Sequence, residues 1–196
     1  MENETLYLLF TETGTILSEA IKLHTKEKYN HTSISFDSTL TDVYSFGRKT
    51  PHNPLNGGFV KEDLRLFPFT HANCAIYSLS VTVEQKKELR DFIFKFEKES
   101  DMYVYNFIGL FGILIQKEIK RKNAFFCSQF VSTALQENRI ATFNKPFCFI
   151  TPRDIQDLPD TVLHYEGTVA DYLVNELNGY EPTQSFSRIY RLLNNF

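Results

Sequence analysis

Cysteine is scarce in this chain, and its spacing excludes two kinds of structural site. The cysteines, Cys74, Cys127 and Cys148, are odd in number and form no CxxC pair, which fits neither a disulfide framework nor a zinc knuckle. Four histidines, His24, His52, His71 and His164, are scattered without metal-ligand spacing. The sequence therefore predicts free thiols, no metal ion and no cofactor. Cys74 and Cys148 lie within apolar, strand-like runs, where a cysteine behaves as a small hydrophobic residue.

The chain also lacks an excess of charge and a flexible linker. Its 21 Lys and Arg residues nearly balance 24 Asp and Glu residues, and the formal charge of −3 argues against nucleic acid as a partner. No stretch rich in Pro, Gly and Ser divides the 196 residues, so we expect a single domain spanning residues 1–196. The composition leaves the oligomeric state open.

No apolar run is long enough to cross a bilayer. The longest, Tyr103–Ile115, falls short of the ~20 residues that a membrane span needs. It is predicted to be a buried core helix, with a lipid- or acyl-binding surface as the alternative. The acidic start of the chain precedes only a short apolar stretch, Leu6–Phe10, which does not resemble a secretory signal. We therefore expect a cytoplasmic protein without an integral membrane segment.

Hydrophobic periodicity predicts a mixture of strands and helices. Alternation or short apolar runs predict strands over Leu6–Phe10, His31–Phe36, Asp42–Phe46, Ala75–Val83 and Phe147–Ile150. Helical spacing predicts helices over Ile16–Thr25, from Val83 with Thr82 as its cap, over Ser128–Leu135, from Thr151-Pro152, and over Val169–Leu177. Gly47–Gly58 is predicted to be a loop, and Phe186–Leu193 fits a strand or a helix.

Two segments carry residues suited to catalysis. Cys127 immediately precedes a predicted helix, and a thiol in that place lies at the positive end of the helix dipole, which favours the thiolate. His31 begins a predicted strand and is able to supply the base that such a nucleophile needs. Gly-rich phosphate loops and GxSxG elbows do not occur in the sequence. The chemistry predicted from the residues is therefore that of a cysteine nucleophile with a histidine base.

These segments resemble a known family in their order along the chain. The segments are the strand-helix opening, Tyr29–Phe36 around His31, Val43–Lys49, Gly57–Val60, Phe126–Leu135 around Cys127, and Thr151–Ile155. Together they are similar to the circularly permuted NlpC-like papain-fold hydrolases. This YiiX/YaeF-like group also shares features with lecithin:retinol acyltransferase-like enzymes. The histidine precedes the cysteine in this chain, which is the reverse of the order in papain.

The resemblance implies a fold and a mechanism. The fold would be a permuted papain-like α+β structure in which an antiparallel sheet packs against the cysteine helix. Cys127 would attack an amide or ester carbonyl with His31 as base, and the backbone N–H of Cys127 would bind the oxyanion. A third residue usually lies on the next strand and orients the histidine. Tyr44 is favoured by register, and Asp42, on the same face, is the electrostatically better partner.

Two functions of different class follow from this resemblance. The first is a cysteine hydrolase or acyltransferase, of cysteine peptidase or amidase type, acting on a small-molecule, peptide or lipid-like substrate through a thioacyl-enzyme. The second is a papain-fold binding module for a peptide or lipid-like ligand that has lost turnover. The first is the main prediction, and the pattern at the third position, where Val43 lies twelve residues after His31, is consistent with the second.

Overall fold

The structure, a computed structural model, describes residues 3–13, 27–50, 56–107 and 121–177. Within these ranges it is a mixed α+β protein built on an antiparallel sheet. The strands of this sheet are β1 (Asn3–Glu12), β2 (His31–Ser35), β3 (Val43–Arg48), β4 (Gly57–Glu62), β5 (Asn73–Thr82) and β8 (Thr161–Thr168). Their order across the six-stranded sheet is β4-β3-β2-β1-β5-β8. Two short strands, β6 (Val104–Tyr105) and β7 (Ala124–Phe125), pair in parallel as a separate ribbon.

Four α-helices accompany the sheet in the described part of the chain. They are α1 (Val83–Lys98), α2 (Cys127–Glu137), α3 (Pro152–Gln156) and α4 (Val169–Leu177). Thr82 and Gln85 form a capping box at the start of α1, and Thr151 and Asp154 form one at the start of α3. These caps confirm the predicted helix starts. No helix among the described residues is long and apolar enough to cross a membrane.

Two apolar clusters hold the sheet in place. The larger joins β1, β2 and β3 to α1 and α2, and it includes Leu8, Ile34, Phe46, Leu89 and Phe130. The smaller involves β1, β3, β5 and α4, and it includes Leu9, Val43, Ile76 and Tyr172. Because β1 contributes alternate residues to the two clusters, the central strand is buried on both faces. The apolar face of α2 packs into the larger cluster, as the helical spacing predicts. Its residues there are Phe130, Val131, Ala134 and Leu135.

Three predicted elements differ from the structure. The segment predicted as a strand over Phe147–Ile150 contains a 3-10 turn, Phe147–Phe149, in which the N–H of Phe149 donates to the carbonyl of Pro146. The predicted helix over Tyr103–Ile115 begins instead with β6, and residues 108–115 lie outside the described residues. The predicted loop Gly47–Gly58 is shorter in the structure. Its first two residues belong to the end of β3, and its last two belong to the start of β4. The helix predicted over residues 16–25 and the segment 186–193 lie outside the described residues.

Candidate active site

Cys127 is the first residue of α2, and the helix start leaves its N–H groups without a side-chain acceptor. The N-cap residue is Phe126, which has no group to accept a hydrogen bond. The hydroxyl of Ser128, the next residue, donates to the carbonyl of Ile150 at 2.6 Å. The positive end of the helix dipole is therefore free to act on the thiol and on a group bound beside it. Cys127 itself is 4% exposed.

His31 is the first residue of β2, and its ring joins the thiol to a carboxylate. Its side chain forms a hydrogen bond with Cys127, and Nε2 lies 2.7 Å from Oε1 of Glu62. The ring also lies against Phe69, with 5.8 Å between the ring centroids. Both partners of His31 are buried, so the three groups interact in a medium of low dielectric constant.

The charges around His31 favour its protonated form. Burial, the largest single effect, lowers the pKa of His31. The negative charge of Glu62 and hydrogen bonds with Cys127 and Glu62 together outweigh burial and raise the pKa to about 10. The imidazole is therefore an imidazolium at neutral pH, placed between a carboxylate and a sulfur atom.

The structure assigns the carboxylate beside His31 to Glu62, and the predicted roles of Tyr44 and Asp42 are corrected. Tyr44 is paired with Ile34 across β2 and β3, so it lies on the face opposite His31 and Ser33. Its hydroxyl donates to Oδ1 of Asp42 at 2.7 Å.

Asp42 is also committed elsewhere. Its carboxylate accepts hydrogen bonds from Lys61 and Arg90 as well as from Tyr44, and together these partners outweigh the effect of burial and lower the pKa of Asp42 to about 2. Neither side chain is therefore placed to orient the imidazole.

Glu62 reaches His31 from the strand beyond the nearest one. β4 is separated from β2 by β3, and the side-chain position of Gly47 on β3 lies beside both groups. A Cβ at Gly47 would lie 3.4 Å from Oε1 of Glu62 and 3.7 Å from Cε1 of His31. A Cβ would therefore only touch these groups, whereas a longer side chain would occupy the space over β3 in which the carboxylate and imidazole meet.

The sequence contained a signal for Glu62 that the prediction of a loop concealed. The predicted loop Gly47–Gly58 gives β4 no pairing partner. When β4 is paired with β3, strand alternation places Val60 and Glu62 on one face, with Ser45 and Val43 as their cross-strand neighbours. A glutamate beside small and apolar residues on a buried face is unusual unless it has a partner.

Tyr105 is a further polar residue in contact with the nucleophile. It lies in β6 opposite Phe125 of β7, and its hydroxyl forms a hydrogen bond with Cys127. Burial, followed by the negative charge of Cys127 and that hydrogen bond, raises the pKa of Tyr105 well above its usual value, although Arg48 lowers it. Tyr105 is therefore a phenol that donates to the sulfur.

The close approach of Tyr105 depends on a glycine of the edge strand. A Cβ at Gly57 would lie 2.7 Å from Cβ of Tyr105, a distance that real Cβ contacts do not show. The sequence prediction missed Tyr105 because its position depends on the pairing of β6 with β7, which joins segments far apart in the chain.

The remaining cysteines lie in other elements of the fold. Cys74 is fully buried in the smaller core cluster, and burial raises the pKa of its thiol to about 12. Cys148 is half-buried in the 3-10 turn. All three cysteines are free thiols, as predicted. Among the described residues, no cluster of His, Cys, Asp and Glu is suited to hold a metal ion.

Comparisons with known proteins identify no relative of this chain: no family model matches it, and neither a curated protein nor a solved structure is significantly similar.

Proposed function

We propose that the chain is a cysteine-dependent hydrolase or acyltransferase that cleaves an amide or ester bond, with Cys127 as nucleophile and His31 as base. The observation that carries the proposal is the chain of contacts from Cys127 to His31 to Glu62, with Cys127 at the N-terminus of a helix. A nucleophile, a base and a group that orients the base form the recurring arrangement of covalent acyl-transfer catalysis. In fold, the chain would be a permuted papain-like domain, which is supported by the antiparallel sheet packed against the cysteine helix and by the order of His31 and Cys127.

The chemical steps follow from the contacts of each group. Nε2 of His31 is engaged by Glu62, which leaves Nδ1 to carry the proton taken from the Cys127 thiol, so that the imidazolium and the thiolate form an ion pair before attack. The resulting thiolate attacks the carbonyl carbon, a carbon–sulfur bond forms, and the carbonyl oxygen becomes negative. His31 then gives its proton to the leaving amine or alcohol as the bond to it breaks. Water or another acceptor attacks the thioacyl-enzyme, loses a proton to His31 and releases the thiol.

Two groups are suited to stabilise negative charge during these steps. The N–H of Cys127 is an N-terminal donor of α2 without a side-chain acceptor, so it is suited to bind the oxyanion. The hydroxyl of Tyr105 donates to the sulfur and stabilises the thiolate before attack.

Alkylation with iodoacetamide tests the proposed nucleophile. Cys127 is expected to be modified at mildly acidic to neutral pH, faster than Cys74 or Cys148, with the sites located by peptide mass spectrometry. Cys127→Ala is expected to abolish the rapid phase of alkylation. His31→Gln is expected to slow this phase, because the variant lacks the imidazolium that pairs with the thiolate. If Cys74 or Cys148 reacts first, the proposal is wrong.

Ester cleavage then tests turnover. With p-nitrophenyl acetate the wild-type chain is expected to release a burst of nitrophenolate, and mass spectrometry is expected to detect an acetyl group on Cys127. Cys148→Ala, which keeps the proposed nucleophile, is the matched control and should retain the burst. A chain in which Cys127→Ala releases nitrophenolate as fast as wild type would contradict the mechanism.

The second candidate is a binding module without turnover, for a peptide or lipid-like ligand. The lack of turnover in this candidate rests on the burial of the site, because Cys127 is only 4% exposed and His31 only 9%, which limits access to the sulfur. This candidate predicts slow alkylation of Cys127 at every pH and no ester burst. The pH profile of alkylation therefore separates the two functions in one experiment.

A further inference from the structure

A serine completes the hydrogen bonds of the carboxylate beside His31. Ser33 is fully buried on β2, two residues after His31, so strand alternation places the two side chains on the same face. Its hydroxyl donates to Oε2 of Glu62 at 2.6 Å, and the hydroxyl oxygen lies 3.3 Å from Nε2 of His31. The three side chains thus form a closed triangle of polar contacts.

The geometry shows why Glu62 needs this second donor. The side chain of Glu62 is 2% exposed, so water cannot solvate its oxygens. Oε1 interacts with His31, and Oε2 accepts a hydrogen bond from the hydroxyl of Ser33. With Oε2 held, rotation of the carboxylate about its last bond is restricted, and Oε1 stays directed at Nε2. Without Ser33, one oxygen of a buried carboxylate would lose its donor.

We propose that Ser33 is a positioning residue that holds Glu62 in the orientation in which it binds His31. Its effect on Cys127 passes through Glu62 and His31, and this part of the inference rests on the proposed function. In the described part of the chain, His31 faces Glu62 on β4 and Cys127 on α2, with Tyr105 beside the thiol.

The test compares Ser33→Ala, Glu62→Gln and the double variant with wild type. Titration of the His31 ring, followed by nitrogen NMR, reports the interaction with Glu62 without requiring catalysis. Ser33→Ala is expected to lower the pH midpoint of His31 and to slow alkylation of Cys127 at neutral pH roughly tenfold to a hundredfold, the range for a lost hydrogen bond to a charged group. The shift in the His31 midpoint and the slowing of alkylation should be no larger in the double variant than in Glu62→Gln alone.

Ser35→Ala is the matched control. Ser35 lies on the same face of β2 and is also fully buried, but its hydroxyl donates to the carbonyl of Asp37. This variant should titrate and react as wild type does. Ser33→Thr keeps the hydroxyl and should restore the wild-type midpoint, which separates loss of the hydrogen bond from loss of packing.

Two results would overturn the inference, and they are distinguishable from failure of the proposed function. If Ser33→Ala leaves the His31 midpoint unchanged, or if its effect adds in full to that of Glu62→Gln, Ser33 does not act through the carboxylate. If Cys127 proves unreactive while Ser33→Ala still shifts the His31 midpoint, the positioning role stands and the catalytic proposal fails.

Discussion

The replacement Glu62→Gln gives the sharpest test of how the site is held together. Glutamine keeps the length of the side chain and an oxygen that can accept from Nε2 of His31, but it removes the charge. Because Glu62 supplies the largest effect that raises the pKa of His31, we expect this pKa to fall from about 10 toward its ordinary value of 6.5. The imidazole of the variant would then be largely neutral at neutral and higher pH.

The raised pKa has a consequence for stability whose sign follows from proton linkage. Between pH 6.5 and about 10, folded His31 holds a proton that the unfolded chain has lost. The free energy of unfolding should therefore fall as the pH rises through this window, by up to about 1.4 kcal/mol per pH unit. The stabilisation is fully present below pH 6.5 and is lost above about 10. Removing one partner of a buried ion pair costs about 3–5 kcal/mol, so the effect is large enough to measure.

Urea unfolding across this pH window, combined with NMR titration of His31, measures both quantities. The wild-type slope should be much reduced in Glu62→Gln. Wild type and Glu62→Gln should also be compared in the Cys127→Ala background, in which no thiol contacts His31. Asp42→Asn and Tyr44→Phe are the matched controls, because they alter the other two candidate partners and should leave His31 unchanged. An unaltered His31 midpoint in Glu62→Gln, or a shift in Asp42→Asn, would refute the assignment of Glu62.

Three further substitutions test the local structure. Gly57→Ala should displace Tyr105, since the new Cβ would lie 2.7 Å from Cβ of Tyr105, and we expect a loss of about 1–3 kcal/mol in urea unfolding and slower alkylation of the nucleophile. Gly47→Ala, whose Cβ would meet its neighbours no closer than 3.4 Å, should be much milder; equal losses in both variants would contradict this reasoning. Thr82→Ala removes the capping box with Gln85 and should cost about 1 kcal/mol without changing alkylation; no loss of stability would show that the cap is dispensable.

Elements with strong local patterns were predictable from the sequence. The hairpin of β2 and β3 follows from alternation on either side of a short turn, and α1 follows from its cap and apolar stripe. The start of α2 at Cys127 was predictable for the same reason, since its buried residues recur at helical spacing. His31 and Cys127 could therefore be proposed as site residues from local pattern and from the resemblance, and their contact depends on how the elements pack.

Long-range pairing was the part that local pattern could not supply. The strand β8 has partly exposed residues throughout, including Gly167, so it lacks the clear alternation that marks a strand. It forms by pairing with β5, from which it is far removed in the chain. Tyr105 reaches Cys127 for a similar reason, because β6 pairs with β7 across an intervening segment.

The third site residue was misplaced because its position depends on side chains that are absent. The polar residues nearest to His31 in strand order are Tyr44, on β3, and Asp42, directly before it. β3 also carries Gly47, which has no side chain in the space through which Glu62 approaches from one strand further away. Gly57 acts in the same manner, since it allows Tyr105 to approach the edge strand. Glycine in a sequence therefore indicates more than a loop. A glycine in a strand also allows functional groups from more distant strands to come together.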